Sequence, residues 1–174
     1  EAFKRLAADH PRYARAVADT ARCYRQWIKA TKAAGRPSEP LARRAAQYFE
    51  QVITGPSGQL PEQWSKAARQ AGLTAAGLWL YETGGGYRQA EQVLTAALAG
   101  SPGAPAEWTS KVQSLLVFSL AGQGKQAEAK QALRKISAGD PGELLDLLTG
   151  LSGIASGSDK MMRSQLAALQ LDAL

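Results

Sequence analysis

The stretch Gly84-Gly85-Gly86-Tyr87-Arg88-Gln89-Ala90, which continues to Pro102, returns in related form further along the chain. When residues 84–102 are laid over residues 123–141, seven of the nineteen positions coincide. The shared pairs are Gly85/Gly124, Ala90/Ala129, Gln92/Gln131, Leu94/Leu133, Ala99/Ala138, Gly100/Gly139 and Pro102/Pro141. Self-similarity at a fixed period is typical of stacked repeat proteins, in which each unit buries its apolar face against its neighbours. The sequence therefore predicts a repeat architecture.

The repeated positions carry the residue types that a helix–turn–helix unit needs. Gly85 and Gly124 stand between two helical patterns, where a tight turn needs a positive φ that glycine adopts without a Cβ penalty. The alanine and leucine of each copy are four residues apart and so share one helix face. We therefore expect positive φ at Gly85 or Gly86 and at Gly124. We also expect Ala90 and Ala129 to be buried against the preceding helix.

This unit resembles the tetratricopeptide repeat, a helix–turn–helix of about 34 residues. In that resemblance the two glycines take the inter-helix turn, Tyr87 the aromatic after it, and the two prolines the end of the unit. The sequence departs from the family at its early tryptophan, where it has Thr74 and Gln113. The repeats are therefore divergent. The resemblance implies an all-α, right-handed superhelix of about four antiparallel helix pairs.

Composition agrees with a helical chain. Of the 174 residues, 45% are apolar and 21% charged, alanine is abundant, and no stretch alternates as a strand does. No apolar run reaches the roughly 18 residues of a membrane span. One continuous solenoid would fit as a single domain over residues 1–174. Residues 1–11 read like the end of a second repeat helix, so we expect a fragment of a longer array.

The periodicity predicts helices over about 11–34, 38–53, 61–82, 87–99, 105–121 and 125–137, and two more after Pro141. In the first helix one broad apolar face is predicted, formed by Tyr13, Val17, Ala21, Tyr24, Trp27 and Ile28. Cys23 falls within the apolar arc of this helix and is expected to be a buried filler, since free cysteine is among the most buried residue types. As the only cysteine, it excludes a disulfide within the chain.

Residues with catalytic chemistry are scarce. The single histidine, His10, has no nucleophile or ligand cluster near it in sequence, and the carboxylates are dispersed. Gly122-Gln123-Gly124-Lys125 lacks the spacing and the preceding strand of a phosphate loop and reads as a repeat turn. The sequence therefore predicts no catalytic residue, cofactor or metal site, and a protein that is not an enzyme.

Charge is distributed unevenly along the chain. Residues 1–50 hold eleven Lys/Arg and five Asp/Glu, whereas residues 51–174 hold ten of each, so the whole net charge of +6 lies in the first fifty residues. Much of it forms a stripe on the first helix: Arg15, Arg22, Arg25, Lys29, Lys32 and Arg36. The stripe is either an ordinary solvated face or a footprint for an acidic peptide or a phosphate backbone.

A scaffold for protein–protein interaction is the function that these features favour, because solenoids present long surfaces built from successive helices. The family resemblance places a peptide- or protein-binding groove at Trp79, Glu82, Lys111, Ser114 and Phe118. For Trp79 and Phe118 the alternative is ordinary core. Two other functions stay open: a nucleic-acid-binding module using the basic surface, and a non-catalytic helical domain of a larger enzyme.

Overall fold

Six α-helices form the regular structure of the residues that the computed structural model describes, 12–55 and 58–137. They are α1 (Tyr13–Ala33), α2 (Glu39–Thr54), α3 (Lys66–Glu82), α4 (Tyr87–Ala99), α5 (Ala106–Gly122) and α6 (Gln126–Ser137). No strand occurs in these two ranges, so the all-α prediction is confirmed for them. The predicted piece at residues 1–11 and the helices after Pro141 lie outside the described residues.

The chain divides into two compact units after Pro102. The first unit holds α1 to α4, and the second holds α5 and α6. In the first unit α3 packs on α2, α4 and α1, and α1 also touches α2; in the second, α5 packs on α6. Consecutive helices within each unit thus pack on one another, although α1 packs more on α3 than on α2. The superhelix and the single domain over residues 1–174 remain predictions.

Small and large side chains set different separations between helices in the first unit. The buried alanines of α2 and α3 are Ala42, Ala45, Ala46, Ala67, Ala68, Ala71, Ala75 and Ala76. These small side chains let the two helices approach closely over much of their length. The contact of α1 with α2 uses rings instead: the Tyr24 ring lies 6.1 Å, centroid to centroid, from those of both Tyr48 and Phe49. Those rings hold α1 further from α2.

The repeated positions adopt the predicted local structure. Gly85 has φ 147° and Gly124 has φ 75°, whereas Gly86 has an ordinary φ of −74°. At Gly124 the chain closes α5 with a Schellman motif. Its two bonds run from the Lys125 N–H to the Leu120 carbonyl, 3.0 Å, and from the Gly124 N–H to the Ala121 carbonyl, 2.9 Å. The predicted turns are therefore confirmed.

The seam residues of the two copies are buried alike. Ala90 and Ala129 are both 0% exposed, and the leucines four residues later, Leu94 and Leu133, are buried as well. Because α3 packs on α4 and α5 on α6, each alanine lies in a helix that packs on the preceding one. The alignment of residues 84–102 with 123–141 is thus confirmed at these positions as a structural register. The second proline of the alignment, Pro141, lies outside the described residues.

The start of α3 differs from the prediction. The helix begins at Lys66 and not near Pro61, because Ser65 caps it: the Ser65 hydroxyl accepts a hydrogen bond from the Ala68 N–H at 3.2 Å. The residues before the cap run outside the helix and place Trp64 in the core. The backbone N–H of Trp64 donates to the Gly100 carbonyl at 2.7 Å, and this bond holds the segment against the end of α4.

Two glycines make room for the Trp64 ring. A Cβ at Gly72, on α3, would lie 2.6 Å from Trp64 Cζ3, and a Cβ at Gly100 would lie 2.2 Å from Trp64 Cδ1. Both distances are shorter than any ordinary contact between carbon atoms. Gly72 is therefore required by this packing, although in a helix interior glycine lowers intrinsic stability.

Two predictions for α1 are wrong. Cys23 is exposed, and Trp27 is 58% exposed. The buried residues of α1 are Ala16, Val17, Ala21, Ile28 and Thr31. At 100° per residue the small Ala16 lies about 100° from Val17, and the other four form an arc within about 40° of Val17. Cys23 lies some 120° from the centre of this arc and Trp27 about 80° from it. The predicted apolar face is wider than the face of α1 that is buried.

Candidate interaction surface

The outward side of α1 carries a regular column of positive charge. The helix has five basic residues and a single acidic one, Asp19. Three of the basic residues, Arg15, Arg22 and Lys29, are seven residues apart and therefore lie along one line of the helix surface; we call them the basic column. All three are exposed. Arg36 continues the spacing beyond the helix end.

Half of the predicted stripe is paired within the chain. Asp19 binds both Arg15, at 4.0 Å, and Arg22. Lys32 Nζ lies 2.6 Å from Glu82 Oε2 on α3. Glu82 was itself a predicted partner-binding residue, so two of the predicted residues bind each other. Exposed pairs of this kind contribute little to stability, about 0–1 kcal/mol each.

The remaining residues of the stripe keep their charge uncompensated. The Arg25 Nε–H donates to the Ala21 carbonyl at 3.4 Å, a bond that leaves the cation without a counter-charge. Among the described residues no carboxylate lies within ion-pair distance of Arg25, Lys29 or Arg36. One carboxylate shared by two arginines does not neutralise both. The outward side of α1 therefore has a net positive charge that solvent and ions must balance.

Trp79 lies in the core of the first unit and not on a surface. Its side chain is 4% exposed, and its Nε1–H donates to Glu50 Oε1 on α2 at 2.6 Å. Gly86 fits against it, since a Cβ there would lie 2.7 Å from Trp79 Cε3. This position favours the core alternative for Trp79. The bond also explains how a half-buried carboxylate is held between α2 and α3.

The predicted groove residues of the second unit differ among themselves. Phe118 is buried, which again favours core. Lys111 is exposed and pairs with Glu107 one turn earlier at 2.6 Å. The hydrogen bond and the charge of Lys111 lower the pKa of Glu107. The Ser114 hydroxyl donates to the Ser110 carbonyl at 2.8 Å, inside its own helix.

A ladder of aromatic rings leads from the core to the outer side of α1, and the sequence prediction missed it. Phe49 is fully buried, the half-buried Tyr24 meets it edge-on, and Trp27 stacks on Tyr24 with centroids 6.3 Å apart and planes 15° apart. The neighbouring Tyr48 is partly buried, which is the main reason that its pKa is raised. The spacing of Tyr24 and Trp27, three residues apart, was the available signal.

Trp27 belongs to a second line of α1, which lies about 110° round the helix from the basic column at 100° per residue. Cys23, Trp27 and Ala30 are all exposed and are spaced by four and then three residues, so they lie along one side of the helix. We call these three residues the outer seam. The outward side of α1 thus has a basic edge and an apolar edge.

No family model, characterised protein or solved structure matches this chain in the comparisons made with each. Within residues 12–55 and 58–137, no three His, Cys, Asp or Glu side chains come together as metal ligands would. In the same ranges no helix combines the length and the apolar character needed to cross a membrane.

Proposed function

We propose that this chain is a protein-interaction domain of the tetratricopeptide-like class, with its helix pairs stacked into a right-handed superhelix, and that α1 binds an acidic segment of a partner protein. The observation that carries the proposal is the outward side of α1. α1 has five basic residues and one acidic residue; Lys32 pairs with Glu82 of α3, and three of the other four form the basic column. The structural support for the class is the helix pairing and the buried seam of both repeat copies.

The expected role of the charge follows from its exposure. Each exposed ionic contact contributes about 1 kcal/mol or less, and it is screened over a Debye length of about 8 Å at physiological salt. The basic column therefore acts chiefly on association rate and on the choice of partner. Affinity must come from apolar contacts. The outer seam supplies these on the same helix.

A protein partner fits this surface better than a nucleic acid. A duplex would meet the basic column with its phosphates but would leave Trp27 and its apolar neighbours in water, and a single strand could stack a base on Trp27 without covering Cys23 and Ala30. A protein segment can offer carboxylates to one edge and apolar side chains to the other. Nucleic-acid binding would show itself by a steep fall in affinity with salt.

The test is a quantitative pull-down with three versions of the chain: wild type, Arg22→Glu/Arg25→Glu/Lys29→Glu, and a matched control. The control, Arg44→Glu/Lys66→Glu/Arg88→Glu, makes the same change in net charge at exposed positions of α2, α3 and α4. We expect the α1 variant to lose proteins that the wild type and the control both retain. Equal loss in both variants would show that only net charge matters and would refute an α1 site. Binding of an oligonucleotide that is lost in the α1 variant would favour the nucleic-acid alternative.

A further inference from the structure

We infer that the segment bound by α1 is an amphipathic α-helix, with an apolar stripe that packs on the outer seam and acidic residues that face the basic column. This inference rests on the proposed function and specifies the conformation and chemistry of the partner. Three observations carry it: the spacing of the outer seam, the support beneath Trp27, and the spacing of the basic column.

The outer seam has the spacing at which helices pack on one another. Cys23, Trp27 and Ala30 follow the alternation of four and three residues that marks the apolar line of paired helices. Small side chains on either side of Trp27 let a second helix approach, and the large one offers an anchor. Within the described residues this line of α1 is uncovered by α2 or α3, because all three of its side chains are exposed.

The Trp27 side chain is supported in a position suited to an anchor residue. Its ring stacks on Tyr24, and Tyr24 is in turn fixed against the fully buried Phe49. A partner that covers Trp27 therefore has little side-chain freedom left to freeze, which is a main cost of forming an interface. Trp is also enriched among the few residues that dominate binding energy. An exposed ring with rigid support is thus the expected centre of the contact.

The basic column selects a helix over an extended peptide. Its members are seven residues apart on α1, which corresponds to about 10.5 Å along the axis. Acidic residues seven apart on a second helix repeat at the same distance. An extended segment repeats its side chains on one face at about 6.6–6.8 Å, so its carboxylates would miss the middle member of the column by about 3–4 Å. The spacing of the charges and the spacing of the apolar residues therefore both favour a helical partner.

The test uses the only thiol of the chain, Cys23, which is exposed within the outer seam. Cys23 is first converted to its mixed disulfide with 2-mercaptoethanol, and a peptide thiol then displaces 2-mercaptoethanol in a reversible exchange. The equilibrium constant of this exchange reports the non-covalent contacts, amplified by the tether. Two synthetic peptides are compared. One has leucines in a heptad stripe flanked by glutamates, and the other has the same composition with the leucines spread around the helix.

We expect the striped peptide to be favoured over the scrambled one by about tenfold or more. Trp27→Ala should abolish this preference, while circular dichroism checks that the helical content of the protein is kept. If both peptides exchange equally and both weaken in Arg22→Glu/Lys29→Glu, the helix inference is overturned and the acidic-partner proposal stands. If neither the stripe nor the charge reversal changes the exchange, both are overturned.

Discussion

Replacing Gly72 with alanine tests the packing of Trp64 against α3. Alanine normally stabilises a helix interior over glycine by about 1 kcal/mol, partly by restricting the unfolded chain. At Gly72 the new methyl group would lie 2.6 Å from Trp64 Cζ3. The ring cannot retreat, because Gly100 meets its other edge closely enough that a Cβ there would lie 2.2 Å from Trp64 Cδ1.

The sign of the effect depends on which of these terms is larger. Overpacking a core costs about 1–3 kcal/mol, and a ring blocked on both sides belongs to the upper part of that range. Subtracting about 1 kcal/mol of intrinsic gain leaves a net destabilisation of about 1–2 kcal/mol. For a chain of this size such a loss lowers Tm by about 2–8 °C.

The matched control lies five residues further along the same helix. A Cβ at Gly77 would meet only Tyr81, at 3.9 Å, which is an ordinary contact, so Gly77→Ala should stabilise by about 0.5–1 kcal/mol. Urea unfolding of the two variants gives both values. In a Trp64→Leu background the clash disappears, and Gly72→Ala should then become stabilising too. Equal stabilisation by Gly72→Ala and Gly77→Ala in the wild-type background would refute the packing described for Trp64.

Three further outcomes are expected. Ala129→Leu should overpack the seam between α5 and α6 and lower the free energy of unfolding, measured with denaturant, by about 1–3 kcal/mol. The control Ala127→Leu, at an exposed position of α6, should change it by less than about 0.5 kcal/mol. Glu50→Ala should leave the Trp79 indole N–H without its partner and cost about 1–3 kcal/mol; a cycle with Trp79→Phe that shows no coupling would contradict the bond. Tyr81 is 45% exposed, and partial desolvation of its ring raises its pKa to about 12 from the ordinary 10.0. The folded chain therefore holds this proton more tightly than the unfolded chain, and the associated stability, complete below pH 10, is lost as pH rises from about 10 through 12. Tyr81→Phe should remove a late-ionising phenolate from an alkaline absorbance titration, and an unchanged titration would show that another tyrosine titrates there.

The repeat register could be predicted because it depends on local chemistry. A helix turn needs positive φ, which Gly124 has, and a close helix contact needs small residues, which Ala90 and Ala129 are. Both requirements involve residues that are close in sequence. The bounds of α1, α2 and α4 to α6 followed from periodicity to within about two residues. The start of α3 did not, because Pro61 is compatible with a first helical turn while the cap lies at Ser65.

Contacts between distant residues could not be predicted. Nothing in the sequence near Gly72 indicates that Trp64 packs on it, or that Gly100 blocks the same ring from α4. In the same way Lys32 and Glu82 were each predicted to bind a partner and instead pair across α1 and α3. Such contacts depend on how helices pack, and a sequence pattern gives only which side of a helix is apolar.

The exposure of Trp27 shows where periodicity stops being informative. Apolar residues cover more than half of the circumference of α1, so the pattern gives a face but not its centre. The rings of Tyr48 and Phe49 on α2 contact Tyr24, whereas Trp27 is 58% exposed. The apolar edge of the interaction surface thus comes from packing, whereas the basic edge was visible in the sequence.

The most direct test of the proposed function is the rate constant for association with a partner retained by the wild-type chain in the pull-down, measured over a salt series. The account predicts that Arg22→Glu/Arg25→Glu/Lys29→Glu slows association about tenfold or more at low salt, and that the difference shrinks as salt screens the surface. The control variant with reversed charges on α2, α3 and α4 should remain close to the wild type. If the α1 variant and the control have the same association rate constants at every salt concentration, a docking role for α1 is contradicted. The basic column is then an ordinary solvated face.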